Sequence, residues 1–127
     1  MDFDNCACSG KTLSRFIRPA LLGLLAEEPH HGYDLVRKLQ RFSMFADVPP
    51  DASGIYKILK TMAAEGLVTG DWDAGESGPA KRPFKITAKG RKCLLRWMDT
   101  LEKYQQQINE LVAVIRMARS ANKNRTV

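Results

Sequence analysis

Eight apolar residues near one end of the chain, Leu94, Trp97, Leu101, Tyr104, Ile108, Leu111, Ile115 and Ala118, recur at alternating spacings of three and four. That spacing marks one stripe along an α-helix, the a and d positions of four heptads. Thr87 is a suitable N-cap. The helix is expected to reach about Ala118 and to measure roughly 45 Å at 1.5 Å per residue. Roughly 80 residues precede it, and a core of that size covers only part of such a stripe. The stripe therefore calls for a second subunit, with Leu94, Trp97, Leu101, Tyr104, Ile108, Leu111 and Ile115 as the dimer interface. The alternative is that the helix folds back on the body, and its first two heptads can do both. From Ser120 to Val127 the chain turns polar and is expected to fray.

The body reads as three helices and a hairpin. Between Leu13 and Ala26, Phe16, Ile17, Ala20, Leu21, Leu24 and Leu25 fall at helical spacing. Pro19 interrupts this run. A proline is tolerated in a first turn, so the helix either begins at Pro19 or is kinked just before it. A second helix is expected from about Gly32 to Phe42. It buries Leu35, Val36, Leu39 and Phe42 and turns Arg37, Lys38 and Arg41 to water or a ligand. After a break containing Pro49 and Pro50, Asp51 or Ser53 can cap a third helix. Ile55, Ile58, Leu59 and Met62 form its buried stripe, and Gly66 is placed as the left-handed residue that ends it.

Beyond Gly66 the period falls to two. Val68 and Trp72 lie on one side of a short strand, Gly75, Gly78 and Pro79 mark a turn, and Phe84 and Ile86 share a side of a second strand over Arg82–Ile86. Pro83 has no N–H to donate and is expected on the hairpin's outer edge. Three helices, a two-stranded hairpin and a long helix make a winged helix-turn-helix with a C-terminal dimerisation helix, mainly α with one small β-hairpin. The expected division is a flexible tail over 1–12, a winged-helix domain over 13–90, a dimerisation helix over 91–118 and a frayed tail over 119–127.

Twenty Lys and Arg against 14 Asp and Glu leave a net charge of +6. This favours a polyanionic partner without choosing among nucleic acid, acidic protein and membrane surface. Residues 11–92 hold 14 basic and 9 acidic residues, so the surplus that matters lies in the body. The longest apolar run, Pro19–Ala26, is too short to cross a bilayer. Asp2 and Asp4 stand where a secretory signal would be basic. The cytoplasm is the expected location, with no membrane partner. Enzymatic chemistry finds no support: there is no Gly-rich phosphate loop, no Gly-x-Ser-x-Gly run and no pair of histidines on one helix face. No cofactor is expected.

With its apolar stripe inward, the third helix turns Tyr56, Lys57, Lys60 and Thr61 outward. Such a helix fits the major groove of duplex DNA. There the lysines suit phosphates or guanine edges, Tyr56 suits a phosphate and Thr61 a base edge. The same residues also describe an ordinary solvated face. Tyr33, at the start of the second helix, is a further phosphate candidate or packs on the third helix. Lys81, Arg82 and Lys85 make the hairpin basic, fit to reach the adjacent backbone or minor groove. Such charge also protects a bare sheet edge.

Trp97 is large for a d position. A dimer there leaves room for an apolar cavity beside Met98 in which a flat aromatic effector stacks; filling core space is the plainer role. Three cysteines, an odd count, argue against a disulfide scaffold. Cys6 and Cys8 form a close thiol pair that, with His30, His31 or Cys93, offers a metal or redox switch. Cys-x-Cys alone supplies two ligands, and an unstructured tail is the simpler reading.

Four short runs, taken in order, resemble one family. His31-Gly32-Tyr33-Asp34-Leu35 is similar to the His-Gly-Tyr-Glu-Leu signature of the PadR-type transcriptional regulators. Ile55-Tyr56-Lys57-Ile58-Leu59-Lys60, followed by Glu65-Gly66-Leu67-Val68, resembles their recognition helix and its exit. Gly78-Pro79-Ala80-Lys81-Arg82 and Ile86-Thr87-Ala88-Lys89-Gly90 resemble their wing and the start of their last helix. The resemblance spans Leu13 to about Trp97. It implies a homodimeric repressor that binds double-stranded DNA at a two-fold operator, with half-sites roughly 34 Å apart, and is released by a small-molecule effector. It also favours DNA contact for Tyr33, Tyr56, Lys57, Lys60, Thr61, Lys81, Arg82 and Lys85. Ser77 to Arg82, with Trp97 and Leu101 to Gln105, is similar to a polyhydroxybutyrate-responsive subgroup. The chain departs from many relatives where the recognition helix opens. Their Gly-Thr-Leu-Tyr-Pro becomes Ser53-Gly54-Ile55-Tyr56-Lys57, with Gly54 in the Thr slot and Lys57 in the Pro slot. Two other readings stand beside it: a metal- or redox-responsive sensor using Cys6 and Cys8, and a protein-interaction module acting through the long helix.

Overall fold

A 3-10 turn at Leu13–Phe16 leads directly into α1, Ile17–Glu27, in the computed structural model, which describes residues 13–46, 49–70 and 82–125. Pro19 is thus the third residue of α1. In a first turn its missing N–H has no intrahelical acceptor to lose. The tighter turn, rather than a kink, absorbs what the proline forbids. Ile17, Pro19, Leu21, Leu22 and Leu25 are buried.

The second helix, α2, spans Gly32–Leu39 and ends three residues earlier than expected. Its close has a physical consequence for Phe42. Arg41 donates to the Lys38 carbonyl and Phe42 to the Leu39 carbonyl, closing tight turns beyond the helix. The helical phase is lost, and Phe42 lies exposed instead of in the core. Its ring packs at 5.9 Å on Phe45, and it is Phe45 that is buried.

The third helix, α3, spans Ala52–Ala64 with Asp51 as its N-cap. Its carboxylate accepts the Gly54 amide at 2.8 Å, satisfying one of the orphan donors of the first turn, a contact worth about 1 kcal/mol. Ile55, Leu59 and Met62 are buried; Ile58 is only half-buried. Gly66 follows at φ +81°, the left-handed value that favours glycine after a helix. Two cations hold this end. Lys89 Nζ donates to the Glu65 carbonyl at 2.8 Å, and Arg18 of α1 pairs with the Glu65 carboxylate.

The sheet is small. β1, Val68–Thr69, pairs antiparallel with β2, Lys85–Ile86, with Val68 opposite Ile86 and Thr69 opposite Lys85. Phe84 extends the ladder toward the other side: it exchanges two backbone hydrogen bonds with His30, at 3.1 and 2.8 Å. The α1–α2 connection is thereby a third rung on the hairpin. Phe84 is buried, and Ile86, expected on the same side of the strand, is half-buried.

Thr87 is the joint between the sheet and the last helix, α4, Ala88–Arg125. Its hydroxyl accepts from the Gly90 amide at 2.9 Å and donates to the Gly66 carbonyl at 2.7 Å. The 38 residues of α4 extend about 57 Å at 1.5 Å per residue. It runs seven residues past Ala118, since no glycine or proline stops it and cations suit a helix C-terminus.

By compactness the chain divides after Leu94. The first unit carries the core, in which Leu21, Leu22, Leu35, Leu39, Ile55, Leu59 and Met62 have no exposed surface. The second unit is the remainder of α4. Along it Trp97 and Leu101 are half-buried, as is Leu94 in the first unit, while Tyr104, Ile108, Leu111 and Ile115 are exposed, the last three by 54–59 %. Among the described residues no helix is long and apolar enough to cross a membrane, and no three metal-binding side chains cluster.

Candidate nucleic-acid interface

Burying Ile55, Leu59 and Met62 leaves one stripe of α3 to solvent. It carries Ser53, Lys57, Lys60 and Thr61, all exposed, with Tyr56 half-buried at its edge. Both lysines stand on regular helix within about two and a half turns of a capped N-terminus, which fixes their Cα positions. The Gly54 departure has a local reason. A Cβ there would sit 2.7 Å from the Asp51 carboxylate oxygen. Glycine lets the cap close on the amide; a larger residue would turn the aspartate away.

Two of the expected contacts are modified by their surroundings. The Thr61 hydroxyl donates to the Lys57 carbonyl at 3.0 Å. Its proton is engaged within the helix, leaving a methyl group and acceptor lone pairs for a base edge. Tyr56 faces α2: a Cβ on Gly32 would come within 3.0 Å of its ring and 3.5 Å of the Phe84 ring. Gly32 is therefore the point at which α2, α3 and the hairpin meet, and the absence of a side chain there permits it.

Tyr33 does not pack on α3. It is 63 % exposed, and Arg37 lies over its ring at 5.2 Å. Arg37 is expected from the sequence only to face water or a ligand; the i,i+4 spacing that brings it over Tyr33 is the signal that pairs the two. On the hairpin, Arg82 and Lys85 are both exposed, and Lys85 lies opposite Thr69 in the ladder. Lys81, Cys6, Cys8, Trp72 and the expected turn lie outside the described residues. His30 is buried at the hairpin's base, its Nε2 without a hydrogen bond and 3.9 Å from Glu28. The spacing of His30 to the other motifs gave no sign of this.

The compact unit thus presents cations from three elements: Arg37 from α2, Lys57 and Lys60 from α3, and Arg82 and Lys85 at the hairpin. None of these five forms an ion pair with a carboxylate among the described residues. Unneutralised cations over a helix face and an adjacent hairpin are what a polyanion's backbone requires.

The comparisons with known proteins fit this geometry. The model of the transcriptional regulator PadR-like family matches residues 21–96. A PadR-like transcriptional regulator of Bacillus cereus is 26% identical, covering 80% of this chain and 96% of its own, with a TM-score of 0.67. A transcriptional regulator of Thermoplasma acidophilum is 29% identical over 81% of this chain and 96% of its own, with a TM-score of 0.60. Bacillus subtilis PadR, solved in complex with operator DNA, is 26% identical over 66% of this chain and 46% of its own, with a TM-score of 0.54. No curated protein matches. These matches speak to the family and not to its polyhydroxybutyrate-responsive subgroup.

Proposed function

The chain belongs to the PadR-like family of transcriptional regulators, and from that premise we propose that it is a homodimeric repressor that binds duplex DNA through α3 and the hairpin. The family is one of regulators, not enzymes. The observation that carries the reading is the exposed stripe of α3, where Lys57 and Lys60 form no ion pair among the described residues on a helix capped by Asp51. In the major groove, Lys57 and Lys60 reach phosphates or guanine O6 and N7. Thr61 offers its methyl to thymine and its oxygen to an amino group. Arg82 and Lys85 lie against the flanking backbone. The relative solved on operator DNA supports the same use of the fold.

The exposed apolar stripe of α4 supports pairing with a second copy. Ile108, Leu111 and Ile115 would each contribute roughly 1.5–3 kcal/mol if fully buried. Paired copies present two equal DNA-binding faces, which suits a two-fold operator. An effector at Trp97 and Met98 would act by changing how the copies associate. A coupling of about 1–3 kcal/mol is enough to change operator occupancy.

The test is duplex binding by Lys57→Ala/Lys60→Ala in fluorescence anisotropy across a salt series. The double variant is expected to weaken binding about ten- to a hundredfold and to reduce the salt slope by about two per protomer. Binding that ignores both lysines would favour a protein-interaction role for the long helix.

A further inference from the structure

We infer that Tyr33 and Arg37 of α2 form a phosphate clamp, a backbone-binding site separate from the α3 stripe and from the hairpin. The inference rests on the DNA-binding reading above and adds a site to it.

Four features of the pair point to a phosphate. Arg37 has a possible acidic partner, Asp34, at the i−3 position where helical ion pairs form. It nevertheless makes no ion pair among the described residues. Its guanidinium instead lies 5.2 Å from the centre of the Tyr33 ring, and Nη1 donates to the phenol oxygen at 3.4 Å. The charge is therefore held in place but not neutralised. Because the Tyr33 oxygen accepts this bond, its own proton remains to donate outward. The guanidinium keeps most of its five N–H groups. The pair thus offers adjacent donors and a positive charge that no carboxylate pairs with among the described residues, which is the complement of a phosphodiester oxygen pair. Both side chains are exposed.

The position of the pair selects DNA over a free phosphate. Gly32, the residue before Tyr33, is the one that abuts the Tyr56 ring on α3. The clamp therefore begins one residue from the point where α2 meets α3, the helix that carries Lys57 and Lys60. A duplex seated on α3 brings its backbone past the start of α2. Stacking on the tyrosine also restricts the arginine before binding, which lowers the ordering cost of the contact.

The plainer role for such a pair is to stabilise α2 alone, and salt dependence separates the two. The probe is a fluorescein-labelled duplex enriched from a random library by the full-length protein, with a scrambled duplex of equal length. Affinities are measured from roughly 50 to 200 mM salt. Arg37→Ala is expected to weaken both duplexes about tenfold and to lower the slope by about one per protomer. Arg37→Lys should restore the slope while recovering only part of the affinity, because the charge returns without the planar fork. Tyr33→Phe should weaken binding about threefold at an unchanged slope, since it removes a neutral donor and leaves the stacking ring. If the unmodified protein binds duplex and Arg37→Ala leaves affinity and slope unchanged, the clamp is overturned and the DNA-binding reading stands. If the unmodified protein binds neither duplex, both fall together.

Discussion

Gly90→Ala is expected to destabilise the compact unit by about 3 kcal/mol, the upper end of what overpacking costs. A Cβ at this position would lie 2.1 Å from the Leu67 carbonyl oxygen, 2.8 Å from the Ile86 side chain and 3.1 Å from the Leu67 carbonyl carbon. The nearest obstacle is backbone, and that backbone is pinned. The Leu67 carbonyl accepts the Thr87 amide at 3.1 Å, and the Leu67 amide donates to the Met62 carbonyl at 3.0 Å. Relief therefore requires moving the start of α4 off the sheet and breaking the Thr87 cap. Circular dichroism melting should show a Tm lower by roughly 10–20 °C for a unit of this size. Gly23→Ala provides the contrast. Nothing lies within 4 Å of a Cβ there, and the residue is inside α1. The same substitution should stabilise by about 0.5–1 kcal/mol. An unchanged Tm for Gly90→Ala would mean that α4 does not start against Leu67.

Leu101→Glu combined with Ile108→Glu is expected to give a monomer in sedimentation velocity and to weaken operator binding by about 10²–10⁴-fold. Both residues lie on the a positions of the stripe, Leu101 half-buried and Ile108 54 % exposed in the single chain. Pairing would place two carboxylates from each copy in an apolar seam without partners, a cost far above a lost contact. The loss of affinity follows from connectivity. Two half-sites held by linked modules bind with an effective concentration that separate monomers lack, and that linkage alone is worth this factor. Because the changes fall outside the compact unit, its melting should be preserved. A dimer that survives both substitutions would place the subunit contact elsewhere.

How much could be read from the chain beforehand depended on the range of the interaction. The cap of α3 was legible as one of two residues, Asp51 or Ser53, because an N-cap acts on an amide only a few residues ahead; the structure uses Asp51. Gly66 was legible because helix ends select a left-handed residue. The apolar stripes of α1 and α3 repeat within a turn, so local periodicity found Ile17, Leu21 and Leu25 and Ile55, Leu59 and Met62; it missed the buried Leu22 and overstated Phe16, Ala20, Leu24 and Ile58, which are half-buried. Phe42 was misplaced because α2 closes at Gln40 without a glycine or proline to signal it, and one lost turn reverses a side chain. The Gly90 approach to Leu67 and the His30–Phe84 rung join distant segments, and no local pattern carries such a contact. The basic stripe of α3 was visible as Lys57 and Lys60. Tyr33 and Arg37 were visible only as separate residues, because a charged i,i+4 neighbour reads the same whether it faces water or a ring.

The central claim is that two copies of this chain place their α3 stripes on one face of a duplex. Hydroxyl-radical footprinting of the full-length protein on a library-selected duplex tests it most directly. The account predicts two protected patches related by two-fold symmetry, with centres about one helical turn or roughly 34 Å apart, both lost in the Lys57→Ala/Lys60→Ala variant. A single unpaired patch, or two patches that persist without the lysines, would contradict it.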